Sequence, residues 1–307
     1  VTDGRHAEVE YIDDWKLDSE RRDFTINGIY LDINGNIFDP QMGLADLKNN
    51  NVKFIGDPQK RIEEDYLRIL RFIRFKIMYN SKVEKTTNDA IKQNLLGIKK
   101  ISKERILEEL YKILGLKNFM NLNESSYLKE IFSLIFPEFA NLKRLDRLKK
   151  IITHSEISFK LLLAVLLIDN NNNHEYFFHK YNVSNDIQDE LNLLAGNLKL
   201  LKNNKDFFVK DLEKNIYLND KNHLINLNIL NFASNPKYSF KNYSETFSKI
   251  LKSKTYQFHI DGEYLKEKGM REGALLGKVL SKIEEEWIDN NFKISNDRIQ
   301  KIIELNS

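Results

Sequence analysis

Cysteine is absent from the 307 residues, and proline occurs only four times. The first absence excludes disulfide scaffolds, thiol catalysis and cysteine-based zinc sites. The second leaves most of the chain free to be helical, because proline is the strongest breaker of a helix interior. Long apolar runs are missing too: the longest, Leu161 to Ile168, falls well short of the ~18–20 residues a membrane-crossing helix needs. The amino end is polar and charged and does not read as a signal peptide. Charge of one sign does not prevail either, with 48 basic against 45 acidic residues and a net charge of +3. Composition alone therefore does not mark a nucleic-acid binder, and any RNA-binding character must rest on locally concentrated basic groups. What is present is 41% hydrophobic and 11% aromatic residues. That excludes a disordered chain and, at ~100–200 residues per domain, predicts two or three domains of a soluble, cytoplasmic protein with no membrane partner.

Ala7 to Ile12 alternates like a half-buried strand. Ile29 to Ile33, then Asn34-Gly35, then Asn36 to Phe38 reads as a hairpin, because Asn-Gly supplies the positive φ values of a two-residue type I′ turn. After Asp57-Pro58 the pattern becomes helical, with Tyr66, Ile69, Leu70, Ile73 and Ile77 on one face. Further amphipathic helices are predicted over Ser102–Leu116, Leu142–Ile152, Ile187–Leu201 and Leu275–Phe292, separated by Asn-rich linkers. The fold class expected is α+β, mostly α: the remnant of an α/β head followed by an extended helical region.

The window Glu64-Asp65-Tyr66-Leu67-Arg68-Ile69-Leu70-Arg71-Phe72-Ile73-Arg74-Phe75 carries the densest chemistry. On one helix, an i+3 series drifts only about 60° per step, so Arg68, Arg71 and Arg74 share a broad face. Asp65, one turn before Arg68, would place a carboxylate acceptor beside a guanidinium fork. Such a pair matches a base edge with an amino group beside a ring acceptor, which cytosine and adenine present and uracil and guanine do not. The other arginines could hold phosphates. Taken alone, the window reads more readily as an ordinary i, i+3 surface ion pair with solvated arginines beside it.

It does not stand alone. Arg21-Arg22-Asp23-Phe24-Thr25-Ile26-Asn27, Asp39-Pro40 with Gly43 and Ala45-Asp46-Leu47, Ile55-Gly56-Asp57-Pro58 and the Glu64-Asp65 window follow one another in order. This series resembles the class II tRNA nucleotidyltransferases and bacterial poly(A) polymerases. Ser102-Lys103-Glu104-Arg105-Ile106 with Glu109-Leu110 is similar to a helix of that family, and Asp261-Gly262 through Gly277 to its carboxy-terminal glycine segment.

The resemblance implies template-independent transfer of CMP and AMP from CTP and ATP to the 3′ end of tRNA. Alternatives within its scope are poly(A) addition and a non-catalytic RNA-binding remnant. By the same resemblance, Asp65 and Arg68 template the base, Arg71 and Arg74 help bind the nucleotide, and Arg22 contacts its ribose or triphosphate. Asp23 supports, anchoring Arg22 or the sugar, while Phe24 and Asn27 are structural. Four segments are implied: 1–54, the end of a nucleotidyltransferase head; 55–116, a helical neck; 117–240, a helical body; and 241–307, a helical tail that binds tRNA. The cofactor implied is Mg²⁺, held in the family by an Asp-x-Asp pair after a GGxVRD loop. Neither motif occurs in these residues. The expectation is thus a member lacking its front part, inactive alone, with a separately encoded amino-terminal half as a candidate partner.

Glu8 is a minor candidate acid, though Glu8 and Glu10 also fit the solvent face of an edge strand. His174 and His179 read as surface histidines rather than a metal pair, and Trp15 and Trp287 as packing residues. Lys143, Arg144, Arg147, Lys149 and Lys150 fit a track for an RNA backbone or a solvated helix face.

Overall fold

A computed structural model describes residues 14–151 and 157–306. The expected strand over Ala7–Ile12, and with it Glu8, lies outside these residues. Contacts divide the chain into two compact units, Val1–Ala195 and Gly196–Ser307. Helices dominate both, in accord with the expected mostly-α class. Among the described residues, no helix is long and apolar enough to cross a membrane.

The first unit begins with α1 (Trp15–Glu20), whose first turn is capped by the Asp14 carboxylate accepting from the N–H groups of Lys16 and Leu17. Strands β1 (Tyr30–Leu31) and β2 (Ile37–Phe38) pair antiparallel, Tyr30 opposite Phe38 and Leu31 opposite Ile37. Here the turn differs from the expected type I′. Gly35 alone has positive φ (85°), its N–H donates to the Asp32 carbonyl, and Asp32 N–H donates across to Asn36. This is a three-residue loop over Ile33, Asn34 and Gly35, of the kind in which only the last residue is left-handed. The Asp32 carboxylate, accepting from the N–H groups of Asn34 and Asn36, selects it. Trp15 packs on this hairpin, its ring stacked on Tyr30 at 5.7 Å.

The chain continues through α2 (Gly43–Lys48), α3 (Pro58–Glu64), α4 (Leu67–Tyr79), α5 (Lys85–Asn94), α6 (Lys103–Leu114), α7 (Ser126–Ile135), α8 (Arg144–Leu148), α9 (Phe159–Leu167) and α10 (Asn173–Tyr181). Phe24 and Phe54 meet in an isolated antiparallel bridge and bury their rings, 4.8 Å apart, against Phe72 and Phe75 of α4. That aromatic cluster fixes α4 beneath the Arg21-Arg22-Asp23 segment. Ile69, Leu70 and Ile73 are fully buried and Ile77 nearly so, as the predicted apolar face requires, and Phe72 is buried beside them.

Three further expectations in this unit differ from the structure. The helix expected over Leu142–Ile152 is only the five-residue α8, and Arg144 at its start is not part of a basic track. Its guanidinium donates to the carbonyls of Val165 and Ile168, satisfying the end of α9, and burial pushes its pKa down. His174 is buried rather than on the surface, its ring edge-on to Phe178.

Helix α11 (Asn185–Asn203) contains the boundary between the units. The second unit holds α12 (Leu212–Asn219), α13 (Lys221–Ser234), α14 (Phe240–Lys252), α15 (Gly262–Glu267), α16 (Ala274–Asp289) and α17 (Asn296–Glu304). The helix expected to run to Phe292 stops at Asp289, and α17 follows, capped by the Ser295 hydroxyl. Leu265, Val279, Ile283, Ile299 and Ile302 form its core. Trp287 packs there among Tyr217, Phe258 and Phe292, as expected.

Candidate functional site

The Glu64-Asp65 window is not one continuous helix. Asp57 caps α3, Pro58 occupies its first turn, and the helix ends at Glu64. Asp65 is extended (φ −155°, ψ 106°), and α4 starts anew beyond Tyr66. Local capping and tertiary contacts together hold the break. The Tyr66 ring lies so close to Gly97 that a Cβ at that position would sit 2.0 Å from its Cδ1. The Asp65 carboxylate is held by Arg105 of α6 at 2.7 Å and accepts from the Leu67 N–H at 3.1 Å. Asp65 and Arg68 are therefore neighbours across a helix start, not an i, i+3 pair on one helix.

A cavity of about 510 Å³ opens beside this junction. Arg22, Arg68, Arg71 and Arg105 line it together with Asp23 and Asp65. Asn27, Leu67 and Phe75 complete the wall. Four guanidinium groups line the cavity against two carboxylates, while Asp18 and Glu64 pair with Arg22 and Arg68 from outside the lining; the planar forks suit phosphate or carboxylate oxygens.

Each side chain is set differently. Arg22 is held by Asp18 at 2.9 Å, and the Tyr30 hydroxyl donates to the same carboxylate oxygen at 2.7 Å. The Tyr30 hydrogen bond, followed by that of Arg22, lowers the Asp18 carboxyl to about 2, and Asp18 in turn raises the Arg22 guanidinium. Of the two roles expected for Asp23, anchoring Arg22 or the sugar, the first is not found: Asp23 pairs with Arg71, Nε to Oδ2, at 2.5 Å. Its other oxygen accepts from the Asn27 amide at 2.8 Å and the Phe24 N–H at 3.0 Å. Burial alone would raise the Asp23 carboxyl, but the Arg71 and Asn27 hydrogen bonds outweigh it and the pKa falls. Asn27 is structural in this sense, and Phe24 is fully buried.

Arg68 donates to Glu64 and to the carbonyl of Arg61, and lies 3.5 Å from the Arg21 carbonyl. Arg61 bridges back to the Arg22 carbonyl and to Glu64, locking the segment around Arg22 to α3. Arg74 does not line the cavity. It pairs with buried Glu109 of α6 and covers the Phe75 ring at 4.3 Å. The expected common face is too broad: 60° per step accumulates to roughly 120° between Arg68 and Arg74, enough to aim the two at different helices. Arg105 was given no role from sequence, and the signal available was its place in the Glu104-Arg105-Ile106 motif. Asp18, three residues before Arg21, was likewise unassigned.

The carboxylates facing the cavity, Asp23 and Asp65, are both bound to arginine, and among the described residues no group of three or more His, Asp or Glu side chains could hold a metal ion. The described residues do not fit a two-metal site, and the chemistry open to them is binding and orientation.

The Poly A polymerase head domain family matches residues 1–53. The family described as a probable RNA and SrmB-binding site of polymerase A matches residues 81–142. Over 335 aligned positions the chain is 30% identical to the mitochondrial CCA tRNA nucleotidyltransferase 1 of Homo sapiens, covering 99% of this chain and 70% of that protein. It is 31% identical over 304 positions to the CCA-adding enzyme of Lactobacillus helveticus, covering 98% and 74%. The chain belongs to the CCA-adding tRNA nucleotidyltransferase family. Its fold agrees: the solved structure of the Bacillus stearothermophilus CCA-adding enzyme in complex with CTP superposes with a TM-score of 0.66 at 20% identity, over 96% of this chain and 75% of that one. In this member of the CCA-adding family, Asp65, Arg68 and Arg71 fall in the interval between the two matched regions.

Proposed function

We propose that this chain acts in tRNA 3′-end processing, by template-independent addition of CMP and AMP from CTP and ATP, and that the α4 cavity binds the incoming nucleotide. The observation that carries this reading is the placement of Asp65 and Arg68 at one cavity already lined by Arg22, Arg71 and Arg105. A carboxylate offers about four lone-pair positions, of which Asp65 uses one for Leu67 and one for Arg105. The remainder can accept from the amino group of cytosine or adenine. Arg68 has five N–H donors and commits three, so it retains donors for the adjacent ring nitrogen. Uracil and guanine present a carbonyl where the amino group should be and meet the carboxylate acceptor to acceptor.

Arg22 and Arg71 then serve the ribose and triphosphate, Asp23 holds Arg71 in place, and Arg74 contributes from behind the wall by tying α4 to α6. The relatives' names supply tRNA as the acceptor and the solved neighbour supplies CTP. The division into head (1–54), neck (55–116), body (117–240) and tail (241–307) belongs to the same reading, supported at its start by the head-domain match. Mg²⁺ is the cofactor of this reading, although the described residues offer no group that would hold it.

Equilibrium binding of labelled CTP, ATP, UTP and GTP tests it. CTP and ATP should bind more tightly than the other two, with Arg71→Ala weakening all four. Equal affinity for all four would overturn the base-reading assignment.

A further inference from the structure

Helix α4 shapes a second cavity at its far end, about 340 Å³ in volume, where it meets the start of α7. Its apolar floor comes from Ile77, Leu122 and Leu128. Three carboxamides, those of Asn80, Asn118 and Asn121, dominate its polar lining, beside the Ser125 hydroxyl and the Glu124 carboxylate. Asn80 ends α4 in the left-handed conformation (φ 48°), which asparagine tolerates better than most residues. Asn118 donates to the carbonyls of Ile77 and Met78 at 3.3 and 3.1 Å, which uses its NH₂ and leaves its Oδ1 to accept.

No arginine or lysine lines this cavity, and its carboxylate, Glu124, is already paired with Lys149. A phosphate would find no cation here. Ile77, Leu122 and Leu128 are nearly buried and form only the floor, so an uncharged heterocycle would be held by its edge, against exposed amide donors and acceptors, the pairing by which asparagine recognises a base. Asn118, Asn121, Leu122, Glu124, Ser125 and Leu128 also lie within the region matched as a probable RNA-binding site.

We propose that this cavity binds an unpaired nucleobase of the RNA substrate. The inference rests on the tRNA-processing reading but not on the nucleotide cavity. The two sites divide the work along one helix: the Arg68 end takes a charged nucleotide, and the Asn80 end takes an uncharged base.

The test uses the full chain and a single-stranded RNA octamer containing 2-aminopurine, whose fluorescence reports burial of that base. Asn80→Gly with Asn121→Ala removes two exposed carboxamides while keeping a residue suited to positive φ at position 80, and a thermal melt checks the fold. Affinity for the octamer should fall about tenfold, the scale of one lost amide–base pairing. An octamer with an abasic site in place of 2-aminopurine should bind the unaltered chain correspondingly more weakly. Unchanged affinity in the folded double variant, or an abasic octamer that binds as tightly, would overturn the proposal. CTP titrated into the same chain reads the other cavity separately, so a failure to bind CTP alongside amide-dependent RNA binding would count against the nucleotide reading only.

Discussion

The floor and the rim of the α4 cavity each present one aspartate, and they are built for opposite purposes. On the floor, Asp23 is buried at 7% exposure and accepts from Arg71, Asn27 and the Phe24 N–H. On the rim, the Asp65 side chain keeps 34% of its exposure and, among the described residues, accepts from Arg105 and the Leu67 N–H. A carboxylate saturated by donors and shut from water is a fixed part of the scaffold. One that is oriented but not saturated can accept from a ligand. Sharing an arginine partner thus says little about an aspartate's role; its remaining lone pairs and its access to water decide it.

The sharpest way to break this contrast is to remove the floor. Asp23→Ala leaves the half-buried Arg71 without its counter-charge. Urea unfolding should show a loss of about 2–3 kcal/mol, below the ~3–5 kcal/mol of a fully enclosed pair because Arg71 retains some water. A loss under ~0.5 kcal/mol, the range of ordinary surface changes, would show that Asp23 is no more structural than a rim residue.

Gly97→Ala attacks the junction from the opposite side. Its Cβ would fall within the Tyr66 ring, so the ring and the start of α4 must shift, at a cost of about 1–3 kcal/mol typical of overpacking. CTP affinity should fall with stability, because Asp65 and Arg68 flank Tyr66. A variant that loses stability and keeps its full affinity for CTP would separate the helix start from the site.

Much of this region was legible in the sequence and some was not. The apolar face of α4 and the hairpin followed from local pattern, since periodicity and turn residues act over a few positions, and the structural role of Phe24 from the family resemblance. The end of α3 did not. Glu64, Asp65 and Tyr66 include no proline or glycine; Asp65 accepts locally from the Leu67 N–H, but the junction is held as well by Gly97 and Arg105, more than thirty residues away. The same distance hid Asp23 as the partner of Arg71, Glu109 as that of Arg74, and the carbonyls of Val165 and Ile168 as those of Arg144. Ion-pair partners are chosen by tertiary packing, and a charged residue's sequence neighbours do not reveal them. The burial of His174 was missed for a like reason, because its Asn-rich flank reads as surface.

Arg105→Ala is a milder change on the rim. The pair is half exposed, so stability should shift by less than ~1 kcal/mol. Discrimination between CTP and UTP should narrow, since Asp65 loses one of the two donors that orient it. Full discrimination in Arg105→Ala would assign Arg105 a charge role only.

The smallest effect is expected from acid. Asp18, held at about 2 by the Tyr30 hydroxyl and then by Arg22, has a folded value below that of an unfolded aspartate. It therefore stabilises the fold fully above about pH 4, and that contribution disappears as pH falls towards 2. Asp18→Asn should flatten acid unfolding across that window and leave the slope above pH 5 unchanged. An acid transition of the same shape in the variant would remove Asp18 from the account of how Arg22 is held.

The central claim, that Asp65 reads the base while Asp23 only supports, is tested most directly by the ratio of CTP to UTP affinity in Asp65→Ala, measured by equilibrium binding beside the unaltered chain. The account predicts that the ratio collapses towards one while the unfolding midpoint stays within the range of a surface substitution. A ratio that survives the loss of the Asp65 carboxylate would contradict it.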